Sequence, residues 1–230
     1  MKNDLLSKAS EASAADHKGL KVMLVEDHPV MREGLAQMIK QEPDLSVCGE
    51  FEDAAHAFAA IPTMLPDLAI VDLSLKGSSG LELLKNARAT YPKLRILVLS
   101  MYDESLYAER ALRAGASGYI MKQEAAEKVM DAVRRVIGGG VYLSEKMGAK
   151  LVNQFIGSKS PGNKSSLEQL SDRELEVFEL IGQGKGTRQI AEHLRLSVKT
   201  IESYRAHIKE KLKLKNANEL VHTAICARCE

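Results

Sequence analysis

Short apolar runs alternate with longer amphipathic stretches through the first 140 residues, and this alternation most constrains the fold. The apolar runs, which predict strands, cover residues 21–25, 45–50, 67–71, 95–99 and 117–120. The stretches between them, which predict helices, cover residues 29–41, 54–63, 79–90, 104–113 and 124–137. In the first helix, Val30, Leu35, Met38 and Ile39 recur at helical spacing. Repeated strand–helix alternation predicts an α/β fold with a five-stranded doubly wound parallel sheet, joined by right-handed crossovers.

Four of the predicted strands end on polar residues. These are Glu26-Asp27 after Val22–Val25, Asp72 after Leu68–Val71, Ser100 after Ile96–Leu99, and Lys122 after Gly118–Met121. The carboxyl ends of parallel strands lie along one edge of a sheet, which is where open α/β sheets bind ligands. Three carboxylates, one hydroxyl and one ammonium at that edge predict a site for a divalent metal ion and a phosphoryl group.

Electrostatics favours this interpretation. Glu26, Asp27 and Asp72 repel each other in one cleft, and a hard cation such as Mg²⁺ relieves the repulsion while sharing phosphate oxygens. With Lys122 beside the metal, Asp72 can act as a nucleophile and form an acyl phosphate. Taken singly, each residue has another explanation, such as a helix cap, a turn residue or a surface lysine. Their joint placement at one edge favours the phosphoryl site.

Composition divides the chain into segments. Residues 1–20 are rich in Ser, Ala and Lys and predict a flexible tail. Three consecutive glycines, Gly138–Gly140, end an α/β domain that we place at 21–140. A linker follows at 141–166, with a helix at 144–156 and then a Gly/Pro/Ser-rich stretch.

The last segment, 167–230, predicts an all-α domain. Ser171-Asp-Arg-Glu174 is a capping box that opens its first helix, and Thr187–Leu194 forms a second. Arg195–Ser197 is a turn before a third helix from Val198 to about Leu212, and Asn216 can cap a fourth. A short helix, a tight turn and a basic helix form the arrangement that places one helix in the major groove of DNA.

The formal net charge of +1 hides a basic segment. Between Lys185 and Lys215 there are nine Lys or Arg residues and three Glu residues, a balance of +6. A solvated helical surface can carry such charge, but it also suits the nucleic-acid backbone.

At these motifs the chain resembles the NarL/FixJ class of two-component response regulators. The receiver motifs are Val25-Glu26-Asp27-His28-Pro29, Val71-Asp72-Leu73, Leu99-Ser100 and Gly118-Tyr119-Ile120-Met121-Lys122. The motifs of the LuxR-type helix-turn-helix are Leu170-Ser171-Asp-Arg-Glu174-Leu-Glu176-Val177, Ile190-Ala191, Leu194 and Ser197-Val198-Lys199-Thr200-Ile201-Glu202-Ser203. The resemblance implies a flavodoxin-like receiver followed by a helix-turn-helix domain, and covers nearly everything but the tail and the linker.

The resemblance also implies residue roles. Asp72 accepts a phosphoryl group from a phosphohistidine on a sensor histidine kinase. Mg²⁺ is held by Asp27 and Asp72, with help from Glu26 and from the backbone carbonyl of Ser74. The residues that bind the phosphoryl group or switch with it are Ser100, Lys122 and the aromatic Tyr119.

For the basic domain, the resemblance implies promoter DNA as the ligand and a homodimer favoured by phosphorylation. The expected DNA contacts are Lys199, Thr200, Glu202, Ser203, Arg205, Ala206 and Lys209. Glu202 can accept a hydrogen bond from cytosine, whereas the basic residues suit phosphates, which orient the protein without specifying sequence. Some relatives carry Lys where this chain has Glu202, so a borrowed target sequence does not apply.

Three other interpretations of the sequence can be weighed against this one. A phosphatase of the haloacid dehalogenase type would use Asp72, but it carries Asp-x-Asp at its first strand, and Ser74 stands where the second acid would be. A dinucleotide-binding domain needs a glycine-rich turn after the first strand, which Glu26-Asp-His-Pro29 excludes. The serious rival is a regulator that acts through protein contact or RNA. We expect DNA binding as the output, not an enzyme, although the receiver promotes its own phosphoryl transfer and dephosphorylation.

Location and thiol chemistry follow from short features. The N-terminus has no apolar stretch typical of a signal peptide, so we expect a cytoplasmic protein without membrane contact. Three cysteines argue against a disulfide framework. His222, Cys226 and Cys229 share one helix face and offer zinc ligands, but a fourth ligand is missing nearby.

Overall fold

The computed structural model of the chain describes residues 19–75, 77, 79–124, 126–156 and 166–227. The predicted flexible tail up to residue 18, the Gly/Pro/Ser-rich stretch at 157–165 and Cys229 lie outside the described residues.

The described strands form one parallel sheet in the order β2-β1-β3-β4-β5. The strands are β1 Leu20–Val25, β2 Leu45–Phe51, β3 Leu68–Val71, β4 Arg95–Ser100 and β5 Gly118–Met121. The chain leaves β1 toward β2 on one side and then returns to β3 on the other. The last residues of β1 and β3, Val25 and Val71, are paired. The strand order reverses between β1 and β3, and such a switch point is where ligands bind in open α/β sheets.

Helices cover both faces of the sheet, which confirms the predicted doubly wound fold. They are α1 Pro29–Lys40, α2 Ala54–Met64, α3 Gly80–Thr90, α4 Glu104–Ala114 and α5 Ala126–Ile137. Buried residues of α1 and α5 pack with alternate strand residues such as Leu24 and Ile70 on one face. Those of α2, α3 and α4 pack with the intervening residues, such as Met23 and Val71, on the other. This alternation follows from the two-residue period of a strand.

One predicted core residue is wrong. Val30 is 85% exposed, whereas Leu35, Ala36 and Ile39 on the same helix are buried. Leu35 lies five positions after Val30, which places the two residues about 140° apart around a helix of 3.6 residues per turn. Val30 therefore lies on the solvent side of α1, and its apolar side chain misled the pattern.

The helix predicted in the linker is α6, Glu145–Ile156. It packs beside α4, where Ser144 N donates to Glu104 Oε1 (2.9 Å) and Lys150 Nζ donates to the Ser105 carbonyl (3.2 Å). Just before it, the Tyr142 carbonyl accepts a hydrogen bond from Tyr119 N. This part of the linker therefore lies against the β5 edge of the sheet.

The described residues of the C-terminal part form helices joined by short turns, with no strand among them. A 3-10 turn at Ser166–Gln169 precedes α7 Asp172–Gly182, α8 Thr187–Leu194, α9 Val198–Lys211 and α10 Ala217–Cys226. The capping box is present in both directions between Ser171 and Glu174, and Asn216 caps α10. Within the described part of the chain, no helix has the length and apolar character needed to span a bilayer.

Candidate functional site

The carboxyl ends of β1, β3 and β5 bring Glu26, Asp72 and Lys122 together, as the sequence predicts. Lys122 Nζ lies 2.8 Å from Asp72 Oδ2 and 2.6 Å from Glu26 Oε2. All three side chains are at most 4% exposed. A buried lysine between two buried carboxylates supplies a counter-charge that offsets part of the cost of taking them out of water.

Two more residues complete the acidic cluster. Asp27 is buried, and His28 Nδ1 lies 2.9 Å from both Glu26 Oε1 and Asp27 Oδ1. Ligand-capable atoms of Glu26, Asp27, His28 and Asp72 all lie within 4.8 Å of one another. Sequence reasoning missed His28 at this position; its place directly after the acidic pair was the available signal.

Burial and the charges around Asp72 explain why its pKa is raised. Burial raises the pKa of Asp72, and repulsion from Glu26 raises it further, while Lys122 opposes both. Burial disfavours the charge on Lys122, but Asp72 and Glu26 outweigh it and raise the pKa of the ammonium. Three carboxyl groups face one ammonium, so the carboxyl groups of the cluster outnumber the ammonium by two. Oxygen donors with excess negative charge fit a hard divalent cation such as Mg²⁺.

A backbone contact fixes the other oxygen of Asp72. Ser74 N donates to Asp72 Oδ1 at 3.0 Å, so the loop after β3 folds back on the carboxylate. The role predicted for the Ser74 carbonyl as a metal ligand stays a prediction.

Ser100 and two tyrosines form a chain of hydrogen bonds leading away from the site. Ser100, at the end of β4, is fully buried, and its Oγ accepts from Tyr102 N at 3.3 Å. Tyr119 is also fully buried, and its hydroxyl donates to the Tyr102 carbonyl at 2.8 Å. Tyr102 in turn stacks on Tyr107, with ring centroids 4.5 Å apart. Sequence reasoning missed Tyr102, whose position two residues after Ser100 was the available signal.

The basic helix α9 carries the predicted DNA-contact residues on the side opposite its buried residues. Ile201 and Ile208 of this helix are buried, and Leu212 is partly buried. On the opposite side Lys199, Glu202, Ser203 and Ala206 are exposed, and Thr200, Arg205 and Lys209 are half-buried. Ser197 caps the helix by accepting from Thr200 N at 3.0 Å.

The residues that the sequence offers as zinc ligands form only a partial set among the described residues. Cys226 Sγ lies 3.8 Å from both ring nitrogens of His222, and Cys226 is exposed. The third proposed ligand, Cys229, is outside the described residues.

Comparisons with known proteins match both halves of the chain. The family model for the response regulator receiver domain matches residues 22–134, and the model for bacterial regulatory proteins of the luxR family matches residues 168–224. The chain is 38% identical over 210 residues to the oxygen regulatory protein NreC of Staphylococcus carnosus, covering 90% of this chain and 97% of that protein. NreC of Staphylococcus aureus is 35% identical over the same span.

Solved structures of response regulators also resemble this chain over most or part of its length. RcsB of Salmonella typhimurium superposes with a TM-score of 0.67 at 26% identity, covering 90% of this chain and 98% of that one. RcsB bound to promoter rprA in the presence of phosphomimetic BeF3− has a TM-score of 0.62 at 26% identity, covering 89% and 97%. A LuxR-family two-component response regulator from Aurantimonas sp. gives 0.56 at 30% identity, covering 60% and 99%.

Proposed function

This chain belongs to the NarL/FixJ class of two-component response regulators, phosphorylation-dependent transcription regulators, and we propose that Asp72 is its phosphoryl acceptor. The observation that carries the proposal is the buried contact of Lys122 with both Asp72 and Glu26 at the switch point of the sheet. The nucleophile, the counter-charge and the acids of the cation cluster are thereby within reach of one phosphoryl group.

The transfer proceeds by attack of one Asp72 carboxylate oxygen on the phosphorus of a phosphohistidine. The P–N bond breaks, the histidine nitrogen leaves with the electron pair, and Asp72 becomes an acyl phosphate. Lys122 then neutralises a phosphoryl oxygen instead of the carboxylate. Water attack on the acyl phosphate returns Asp72 and releases inorganic phosphate, so the protein resets itself without acting on an external substrate.

Receivers of this class use Mg²⁺ in an acidic pocket, and the donors of this chain suit it. Asp27 and Asp72 would bind the ion directly, Glu26 would assist, and the Ser74 carbonyl would complete the protein ligands. The ion supplies charge neutralisation for the transferred group. The residues of the chain orient the acceptor, because Lys122 and the Ser74 amide each contact one carboxylate oxygen of Asp72.

Ser100 and Tyr119 would pass the modification on. A phosphoryl oxygen that accepts from Ser100 Oγ moves that side chain toward Asp72 and away from Tyr102 N. The Tyr102 carbonyl and the Tyr119 hydroxyl then lose their present arrangement. Phosphorylation can act as a switch only if it favours one of two arrangements of some part of the protein. The hydrogen bonds among Ser100, Tyr102 and Tyr119 would be that part.

The helical part would read double-stranded promoter DNA through α9. Helix-turn-helix dimers read paired half-sites, so a homodimer favoured by phosphorylation is the expected binding form. We take the receiver as 21–140, the linker as 141–166 and the DNA-binding domain as 167–230. The remaining partner is a sensor histidine kinase, and a cytoplasmic location suits this pairing.

The acceptor is tested by incubating the full chain with acetyl phosphate and Mg²⁺ and measuring intact mass. The wild-type protein should gain one hydroxylamine-sensitive phosphoryl group, and Asp72→Asn should gain none. Equal labelling of the two proteins would place the acceptor elsewhere.

The output is tested separately by selecting bound genomic fragments and titrating salt in a gel-shift assay. A steep loss of affinity with salt on a selected sequence supports DNA control. Absence of sequence-selective binding, with retained binding to RNA or to a protein, would favour the contact regulator instead.

A further inference from the structure

His28, directly after the acidic pair, brings an imidazole nitrogen to the predicted cation pocket. Its Nδ1 atom lies 2.9 Å from Glu26 Oε1 and 2.9 Å from Asp27 Oδ1. The backbone N of His28 also donates to Glu26 Oε1, at 3.1 Å. One ring nitrogen therefore contacts both carboxylates that follow β1.

The place of His28 in the fold does not by itself require this orientation. His28 is the N-cap of α1, and a side chain at this position ordinarily accepts a hydrogen bond from the first turn of the helix. Within the described part of the chain, the side chain of His28 makes no such bond. Pro29 follows at the start of the helix, where its fixed φ favours helical backbone. The imidazole is therefore not used to cap α1, and it contacts the carboxylates instead.

The ring also lies on the open side of the pocket. The side chain of His28 is 59% exposed, whereas those of Glu26 and Asp27 are 2% and 4% exposed. The side chains of Asp72 and Lys122 are buried as well. An ion that arrives from water and binds the acids therefore comes within reach of the imidazole.

The spacing of these atoms suits donors that share one ion. Neighbouring donors on an octahedral ion with bonds of about 2.1 Å lie about 3.0 Å apart. Both distances from His28 Nδ1 are close to that value. One ligand-capable atom from each of Glu26, Asp27, His28 and Asp72 lies within 4.8 Å of the others. Small side-chain movements are therefore enough to place the imidazole and the carboxylates around one ion.

An imidazole donor changes which divalent ion a pocket prefers. Mg²⁺ is a hard ion that prefers oxygen donors, whereas the later first-row transition ions bind imidazole well. We propose that His28 is a direct nitrogen ligand in the cation pocket and gives this pocket a preference for a first-row transition ion over Mg²⁺. The inference rests on the proposed function, since it concerns the ion that assists phosphoryl transfer to Asp72. Mg²⁺ still binds through the carboxylates.

The preference is tested by calorimetric titration of the full chain, free of any affinity tag, with Co²⁺ and with Mg²⁺. These ions are similar in size and both favour six donors, so the ratio of their dissociation constants reports the choice of donor atom. All proteins are compared at one pH, because protons compete with metal ions for the ligands. Pulsed EPR of added Mn²⁺ then shows directly whether a nitrogen atom is bound to the ion.

Two substitutions of His28 separate ligation from positioning. His28→Ala removes the imidazole, whereas His28→Asn keeps a side-chain nitrogen that can donate to Glu26 but cannot bind a metal as an imidazole does. His56→Asn is the matched control. His56 Nδ1 lies 2.7 Å from Asp53 Oδ2 at the start of α2, which is a similar imidazole–carboxylate pair outside the cluster.

We expect the wild-type protein to prefer Co²⁺, and both His28 variants to lose about tenfold of that preference, while the His56 control keeps it. Mn²⁺ should show a nitrogen coupling in the wild-type protein and in the control, and none in either His28 variant.

The opposing outcomes are distinct. An equal preference in all four proteins, or no nitrogen coupling in the wild-type protein, would overturn ligation by His28 while leaving the pocket as a cation site. A parallel loss of affinity for both ions in His28→Ala, restored in His28→Asn, would make His28 a positioning residue for Glu26 and also overturn direct ligation. Failure of every protein to bind either ion would overturn the cation pocket of the proposed function itself.

Discussion

Two fully buried tyrosines of the receiver, Tyr119 and Tyr107, differ in the hydrogen bonding of their hydroxyl groups. Tyr119 donates to the Tyr102 carbonyl at 2.8 Å. The hydroxyl of Tyr107 is equally buried and has no hydrogen-bond partner among the described residues. A buried polar group without a partner costs free energy, whereas a satisfied one contributes about 1 kcal/mol.

Replacing each tyrosine by phenylalanine, which removes only the hydroxyl group, should therefore change the free energy of unfolding differently in the two cases. Tyr119→Phe should lower the free energy of unfolding by about 1 kcal/mol, because the Tyr102 carbonyl loses its donor. Tyr107→Phe should leave it unchanged or raise it by a similar amount, because only an unsatisfied hydroxyl is removed. Urea unfolding of the full chain measures both. Equal destabilisation by the two substitutions would mean that the Tyr107 hydroxyl has a partner after all.

At the scale of elements, α3 sits tightly against the acceptor loop. A Cβ on Gly80, the first residue of α3, would lie 2.4 Å from the Asp72 carbonyl oxygen and 2.6 Å from Leu73 Cα. These are backbone atoms that cannot swing aside. Glycine is therefore required for the helix to begin this close to the loop that carries Asp72.

We expect Gly80→Ala to destabilise the protein by about 1–3 kcal/mol and to reduce labelling of Asp72 by acetyl phosphate. Gly34→Ala is the control, because Gly34 lies in the middle of α1 and a methyl group there would have, apart from the neighbouring backbone of α1, no atom within 4 Å among the described residues. That control should stabilise the protein by about 0.5–1 kcal/mol. Urea midpoints and labelling rates measure both, and an unaffected Gly80→Ala protein would show that α3 shifts freely.

The exposed face of α9 separates base reading from phosphate binding. Glu202→Ala should relax specificity at one base position, because a carboxylate in the groove can accept a hydrogen bond from a base edge but not from a phosphate. Lys209→Ala should weaken binding to all sequences and reduce the salt dependence by about one phosphate contact. Affinity measured on a selected site, its single-base variants and unrelated DNA distinguishes the two effects. A uniform loss of affinity on every sequence after Glu202→Ala would remove its base-reading role.

The sequence predicted the elements well because each carries local signals. Period-two and period-3.6 patterns placed the strands and helices within about two residues of their bounds, and the capping residues Ser171 and Asn216 marked helix starts. The site residues at the strand ends followed from sheet topology alone. Val30 was misplaced because an apolar residue in the first turn of a helix does not by itself define the buried face.

At the scale of the whole molecule, local patterns carry no such information. Lys85 and Asp172 are 87 residues apart in the chain, and neither belongs to a motif that predicts their contact. The same is true of Gly77 and His193. Docking of one domain on another depends on complementary surfaces that form only after each domain has folded, so these contacts become visible only in three dimensions.

The docked arrangement should depend on pH through Glu176. Burial raises the pKa of Glu176 to about 7, with Glu82 and Asp172 adding to the shift and Arg173, 2.9 Å away, opposing it. Glu176 of α7 and Tyr102 of the receiver line one small cavity between α7 and the receiver. The protonated form is favoured in the docked state, so its contribution is fully present below the ordinary value of 4.5 and is lost as pH rises through about 7. The full shift corresponds to at most about 3 kcal/mol, part of which belongs to α7 within its own domain.

Small-angle scattering of the unphosphorylated full chain should therefore show a radius of gyration that increases between about pH 5 and pH 8 as the domains separate. Glu176→Gln keeps a neutral group in the cavity and should remain compact across this range. Glu210→Gln should behave as the wild type does, because it changes the same charge at an exposed position. Expansion that persists in Glu176→Gln would assign the pH dependence to another titratable group and contradict the role of Glu176.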